Sequence, residues 1–315
     1  MSIQGQLFSY NKQNPVELGK VSWLRNYDDA LKASAERNQP ILILFQEVPG
    51  CGNCTTFGND IMSHPLIVEV IESCFIPLCI YNNQGGHDKK IIEKYKEPAW
   101  NNPVIRIVDK NGMDIVERQP DFRFKSKTIF SIKEALMASG QEIPKYIEIL
   151  LLETNVLDNK KAEEFYLGMY CFWKGEKEIG VINGVIGTEA GYMFGKEVVK
   201  IVYDTDRTNM DDIITKAKKA GCADAIYAPI QKKDTKNHIL PVGTYRKDPE
   251  DKYYLTTSKY KVIPMTLLQK TIVNRAISIG EDPSVYLSPR QLSVLRDKKS
   301  TKNQTGNNIV DVWYK

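Results

Sequence analysis

The residues able to do chemistry fall in two places. Cys51 and Cys54 form a C-x-x-C pair soon after Ile41-Leu42-Ile43-Leu44-Phe45, five apolar residues without alternation, which suits a strand covered on both faces. Pro49-Gly50 breaks that run, and Cys54, Phe57, Gly58 and Ile61 follow at helical spacings, so a helix is expected to begin at the first cysteine. There the free amide groups and the positive end of the helix dipole favour a thiolate. Cys51 is thereby the attacking sulfur, and Cys54 resolves the mixed disulfide. The second place is Tyr170-Cys171-Phe172-Trp173-Lys174-Gly175-Glu176, where a strand-like run again delivers a cysteine to a helix start. Two large aromatic residues now stand beside the thiol, and a dithiol has no need of them. They suit an apolar cage for a methyl or thioether group while Cys171 attacks an adjacent atom. The competing reading is that both rings are core residues.

Cys51, Cys54, Cys74 and Cys79 also read as C-x2-C-x19-C-x4-C, which superficially suggests zinc. The buried strand before Cys51 argues for redox chemistry instead, and Cys74 and Cys79, at and within the apolar stretch 75–81, read as small core residues. No metal or other cofactor is expected.

The positioning elements follow in order. Asn26 caps a helix whose inner face is Tyr27, Ala30, Leu31 and Ser34. A second helix starts at Ser63-His64-Pro65, a strand covers 75–81, a short helix 89–95, and a strand Val104–Val108. Asp109-Lys110-Asn111-Gly112 reads as a hairpin turn with 114–118 as its return, and a helix spans about 128–139. Beyond it, 144–153 is a helix and 154–161 a polar linker. Strands are expected at 184–192 and 197–204, then a helix capped by Thr208 or Asn209, with Met210, Ile213, Ile214 and Ala217 inward and Gly221 as its stop. The segment 247–252 reads as a charged loop, 266–277 as a helix, 296–308 as a basic surface segment and 309–314 as a final strand.

With 315 residues, the chain has room for two modest domains. Its net charge of +4, from 43 basic and 39 acidic residues, makes no case for nucleic acid. Residues 1–20 are polar, and no stretch approaches the roughly 18 apolar residues of a spanning helix, so no membrane partner and a cytoplasmic location are expected. Thiols there stay mostly reduced, which favours a catalytic C-x-x-C over a structural staple.

Over roughly residues 20–140, this order of elements resembles the thioredoxin superfamily. The likeness is carried by the dithiol after the first core strand, by Trp23-x3-Tyr27-x2-Ala30-Leu31, and by Asn102-Pro103 ahead of the hairpin strand. It implies an α/β thioredoxin fold with Pro103 as a cis-proline packed against the dithiol. The family's aromatic residue before the first cysteine is replaced here by Pro49-Gly50.

From Phe165 to Gly221, the residues Cys171-Phe172-Trp173, Gly184-Val185, Thr188-Glu189, Gly191-Tyr192, Glu197-Val198 and Val202-Tyr203-Asp204 resemble peptide methionine sulfoxide reductase A. That resemblance implies an α+β, ferredoxin-like second domain. The expected division is 1–143 thioredoxin-like, 144–163 helix and linker, and 164–315 reductase-like. By position, Cys171 attacks the sulfoxide sulfur and becomes a sulfenic acid, Phe172 and Trp173 hold the methyl, and Glu197 protonates the oxygen. Tyr192 and Tyr260 are implied at the substrate. The proton is needed because a sulfoxide oxygen leaves poorly without one.

The chain also departs from the family. Tyr170 stands for a glycine, Phe194-Gly195-Lys196 precedes the glutamate, and the loop that carries a tyrosine shrinks to 193–196. No cysteine follows Cys222, which leaves Cys222 as a possible resolving thiol, a buried thiol behind a helix stop, or a bystander to direct reduction of Cys171 by the fused dithiol. The expectation is an oxidoreductase that reduces methionine S-sulfoxide in peptides or proteins, served by a disulfide-reducing partner such as a thioredoxin or its reductase. The alternative is a general thiol-disulfide oxidoreductase whose C-terminal domain is a non-catalytic binding or interaction module.

Overall fold

The structure is a computed structural model that describes residues 14–50, 52–98, 100–120, 123–229, 236–297 and 302–314. Two compact units divide the chain, residues 1–147 and 148–315.

In the first unit, α1 (Tyr27–Arg37) starts where Asn26 accepts the amides of Asp28 and Asp29, and it ends on left-handed Asn38. β1 (Ile41–Gln46) is buried along its whole length, as an unalternating apolar run requires. It lies between β2 (Ile76–Tyr81), parallel to it, and β3 (Val104–Val108), antiparallel, in the sheet order β2-β1-β3. Helices α2 (Gly52–Asp60), α3 (Pro65–Cys74), α4 (His87–Tyr95) and α5 (Lys125–Ala138) complete the unit. Tyr27, Ala30, Ile43, Phe45, Leu78 and Ile92 fill the core on one side of the sheet.

The return expected over 114–118 is not a strand. It touches β3 at two isolated bridges, Val108↔Asp114 and Ile105↔Gln119. Three steps along β3 are matched by five along the return, so surplus residues bulge out and break the ladder. Arg118, within that bulge, reaches Glu97, whose side chain is 1% exposed. Glu97 accepts from Arg118 at 2.7 and 2.9 Å and from Arg106 Nε at 2.6 Å. Two guanidinium groups thus anchor the chain just before the loop that ends in Pro103.

The segment expected as helix and linker is α6 (Lys145–Asp158), whose first turn belongs to the first unit and which runs almost directly into β4 (Ala162–Gly168) of the second. Burial of Glu153 and Val156 extends the helix past the expected stop at 153. The Glu153 carboxylate accepts the amides of Leu267 and Leu268. Next come α7 (Phe172–Ile179), β5 (Val185–Met193), β6 (Lys196–Asp204), α8 (Met210–Lys219), β7 (Ala225–Tyr227) and β8 (Arg246–Lys247). The short helices α9 (Tyr253–Thr256), α11 (Pro289–Ser293) and α12 (Ile309–Val312) flank the longer α10 (Leu267–Ser278). α12 replaces the expected final strand because Asn308 caps it by accepting the Val310 amide. Thr305 is buried and the Gln304 amide donates to Lys261 O, so part of the expected surface segment 296–308 is packed.

The five strands pair in the order β7-β4-β6-β5-β8, every pair antiparallel. Alternation assigns the faces. Phe165, Leu167, Val199, Ile201 and Tyr203 pack in the main core with α7 and α8, while Tyr166, Val198 and Met193 pack in a second cluster. No helix of the described residues is long and apolar enough to cross a membrane.

Glu97 gives a pH test of the first unit. Burial raises its carboxyl pKa, but the hydrogen bonds and charges of Arg118 and Arg106 outweigh burial and hold it below the usual value of 4.5. A depressed folded value contributes stability above 4.5 that is lost as pH falls through the folded value. Urea midpoints of the wild type should therefore fall more steeply on acidification below 4.5 than those of Glu97→Gln; parallel curves would show that the carboxylate contributes nothing.

Candidate active site

The first constellation is built on the loop after β1. Cys51 lies outside the described residues. Cys54 is fully buried in the first turn of α2, and its carbonyl accepts from Gln46 Nε2 at 3.3 Å. Gln46 Nε2 also donates to Glu17 O at 2.7 Å, and the Glu17 carboxylate accepts the Gly50 amide at 2.8 Å. Asn83 closes the loop from the other side, accepting from Val48 N and donating to Pro49 O, both at 3.2 Å. The Asn102-Pro103 peptide bond is cis, as is Val48-Pro49. Asn82, next to Asn83, donates to Asn102 Oδ1 at 2.9 Å, so adjacent asparagines tie the proline loop and the cysteine loop to the end of β2. Cys79 is buried within β2, where burial raises its pKa, and Cys74 closes α3 half-buried.

In the second unit, Cys171 is the half-buried N-cap of α7, with extended backbone and no capping bond from its side chain. Its helix lies close on the sheet, since a Cβ on Gly175 would sit 2.0 Å from Met169 Sδ. Strand parity puts Glu197 on the same face as Val199 and Ile201, toward α7. Its Oε2 accepts the Phe172 amide at 2.9 Å, which holds a carboxylate at the helix N-terminus beside the cysteine. Tyr192 pairs with Glu197 across the ladder.

Aromatic rings surround this point in a connected run. Phe172 meets Tyr192 at 5.4 Å and Trp173 at 5.8 Å, Trp173 stacks on Tyr253 at 4.1 Å, and Tyr253 meets Tyr254 at 5.6 Å. Burial, and next the neighbouring Cys171, push the Tyr254 phenol up. Burial, then Asp248 and Glu197, do the same for Tyr192. Both hydroxyls therefore stay protonated at neutral pH and can donate hydrogen bonds. Phe172, Trp173, Tyr192 and Glu197 come together around Cys171. Tyr260 is held elsewhere: it lies on a 3-10 turn started by Ser258, and its ring packs with the cluster of Leu255, Val262 and Leu287.

Tyr253 and Tyr254 are the site groups that sequence reasoning missed, because the segment before them reads as a charged loop. In that segment Asp248, Asp251 and Lys252 are instead buried. Lys252 has a side chain 1% exposed and a left-handed backbone, φ 63°. Its amide donates to Glu176 Oε2 at 2.9 Å, and its ammonium reaches Glu176 Oε1, Thr188 O, Thr188 Oγ1 at 3.2 Å and Asp251 Oδ1 at 3.3 Å. Asp251 in turn accepts the Ala190 amide and pairs with Lys247. Burial drives the Glu176 pKa upward against the pull of Lys252; Lys252, equally buried, is held above its ordinary value by Asp251 and Glu176. The cluster pins the turn carrying Tyr253 and Tyr254 to α7 and β5.

Residues 22–110 match the family described as Thioredoxin-like, and this part of the chain is thioredoxin-like. That match supports a thiol oxidoreductase. Two curated relatives named peptide methionine sulfoxide reductase MsrA come from Methanococcus maripaludis and Geobacter metallireducens. They are 34% and 31% identical over 17% and 18% of this chain and 45% and 46% of theirs. The chain thus spans about half the length of the curated relatives it matches. A thioredoxin solution structure from Thermus thermophilus is 17% identical, covering 38% of this chain and 90% of that one, with a TM-score of 0.33. A DsbH oxidoreductase is also 17% identical, covering 42% and 94%, with a TM-score of 0.33.

Removing the Lys252 ammonium leaves two carboxyl groups buried without it. Lys252→Met should cost about 3–5 kcal/mol in urea unfolding, and Lys252→Met with Glu176→Leu should recover much of that loss. Equal losses in the single and double variants would show that the charges do not act as a pair.

Proposed function

We propose that the chain is a fused thiol redox enzyme that reduces methionine S-sulfoxide at Cys171 and draws its electrons from the Cys51/Cys54 dithiol. The second unit is read as an α+β, ferredoxin-like fold of the methionine sulfoxide reductase A type. The observation that carries the reading is the Glu197 carboxyl group on the Phe172 amide, next to a cysteine at a helix N-terminus and inside an aromatic wall.

The chemistry follows from those groups. Phe172 and Trp173 take the substrate methyl, for which an aromatic surface offers dispersion and no competing hydrogen bond. The Cys171 thiolate attacks the sulfoxide sulfur while Glu197 delivers a proton to the oxygen. Tyr192 and Tyr254 stay protonated and donate to that oxygen, so Tyr254 does the work of the tyrosine lost with the shortened β5–β6 loop. That loop is a tight hairpin, with Phe194 and Gly195 both at positive φ. The transient bond between the Cys171 and methionine sulfurs then breaks as the protonated oxygen passes from the methionine sulfur to Cys171, so methionine leaves, a sulfenic acid is left, and the dithiol returns two electrons as water departs. The MsrA names of the two curated relatives agree with this reading.

Incubation with methionine S-sulfoxide and dithiothreitol tests it. Wild type and Cys51→Ala should form methionine, because dithiothreitol replaces the dithiol, and Cys171→Ala should form none. Glu197→Gln should lower kcat by about 10²–10⁴-fold. Absence of methionine with every variant, alongside reduction of insulin disulfides by wild type, would instead assign the chain to general disulfide exchange.

A further inference from the structure

The 3-10 turn Val16–Leu18 precedes the matched residues 22–110 and lies as a strap on the helix after the C-x-x-C loop. A Cβ on Gly58 of α2 would sit 2.0 Å from Val16 O, so turn and helix touch backbone to backbone. Asn14 Nδ2 donates to Val21 O at 2.7 Å, Trp23 Nε1 to Leu18 O at 2.9 Å and the Lys20 amide to Met62 O at 2.9 Å, which fixes the strap. Glu17, on this turn, is 6% exposed and accepts the Gly50 amide at 2.8 Å.

Gly50 in turn lies on Cys54. A Cβ there would sit 2.6 Å from Cys54 Cβ and 3.1 Å from Cys54 Sγ. Through that one residue the Glu17 carboxylate stands within about 9 Å of the buried sulfur. Gln46 joins the same parts from another side, donating to Glu17 O and Cys54 O. We infer that Glu17 is a positioning residue of the Cys51/Cys54 dithiol, and that its charge makes the pair more strongly reducing. The inference rests on the dithiol of the reading above and not on sulfoxide reduction.

Holding the loop does not by itself call for a charge. A neutral amide oxygen would accept the Gly50 proton as well, without the cost of taking a carboxylate out of water. Among the described residues no lysine or arginine pairs with Glu17, so no ion pair cancels its charge. That charge acts on one redox state more than on the other. The reduced pair is negative whenever one sulfur is a thiolate, and the disulfide is neutral. A fixed carboxylate beside the pair disfavours the thiolate and leaves the disulfide unaffected, so electrons leave more readily. The N-terminus of α2 pulls the other way, because its amides favour a thiolate. Glu17 offsets the helix, which suits a pair that must give electrons to an oxidised sulfur. At an effective dielectric of about 20, a charge at that distance shifts the equilibrium by about tenfold.

The test equilibrates the full-length chain, as wild type, Glu17→Gln and Glu17→Ala, in buffers of varied ratio of reduced to oxidised dithiothreitol. Thiols are then trapped by alkylation. Cleavage after Glu47 and Glu69 releases a peptide that holds Cys51 and Cys54 and no other cysteine, so mass spectrometry reads the disulfide fraction of this pair alone. Both variants should become reduced at about tenfold lower ratio than wild type, about 30 mV less negative. At neutral pH and low iodoacetamide, the reduced Glu17→Gln chain should also be alkylated faster at this pair. Glu17→Gln separates charge from position, since its amide oxygen can still accept from Gly50. Equal midpoints for wild type and Glu17→Gln would overturn the inference, whether or not Glu17→Ala moves. Failure of the dithiol reading has a different signature: the wild type would form no Cys51–Cys54 disulfide at any ratio, and both readings would fall.

Discussion

A lysine ammonium cut off from water fixes the architecture around Cys171. Burying such an ion costs several kcal/mol unless opposite charge and hydrogen bonds meet it. Lys252 is met by Glu176 from α7, Thr188 from β5 and the adjacent Asp251. Those groups must arrive together, because any one of them missing leaves a charge or a polar group unpaired in the core. Helix, sheet and the chain leading to α9 are therefore positioned by one condition, and two aromatic members of the site follow Lys252 directly. Tyr253 stacks on Trp173 only while that turn stays against α7.

Glu176 shares α7 with the site residues, so the helix serves two purposes. Its N-terminus presents Cys171 and the Phe172 amide, and its second turn supplies the carboxylate that holds Lys252. The strands impose a similar economy. Parity in β6 turns Glu197 toward α7 together with the core residues Val199 and Ile201, while Val198 faces the other cluster. A one-residue slip of β6 would carry Glu197 away from the cysteine and place core residues on the wrong face, so the core protects the alignment of the carboxylate.

The first unit secures its loops with polar side chains in the same way. Glu97 braces the chain before the Pro103 loop through two arginines, and Asn82 and Asn83 hold that loop and the cysteine loop to the end of β2. Loops that lack a regular ladder need such ties, since their backbone groups have no strand partner. In both units the candidate cysteine thus follows the end of a strand, with polar residues fixing the approach.

Much of this was legible in the sequence because it depends on near neighbours along the chain. The apolar run 41–45, the caps Asn26 and Asn209, the stop at Gly221 and the alternation 197–204 each report a local preference, and the elements formed there. The segment 114–118 differed because a strand needs matched lengths on both partners, and the return is longer than its share of β3. The role of 247–252 was illegible for a stronger reason. Sequence reads Asp251 and Lys252 as solvated charge, and only groups 64 and 76 residues away in the chain, on β5 and α7, make their burial tolerable. The same ground separates Tyr260, which the resemblance implied and which packs with Leu255, Val262 and Leu287, from Tyr254, which follows the buried lysine and lies by the cysteine. By itself, the sequence marked the candidate residues and determined which local elements present them. The tertiary structure decided which tyrosines those elements meet, because distance in space is set by packing between segments that no local preference relates.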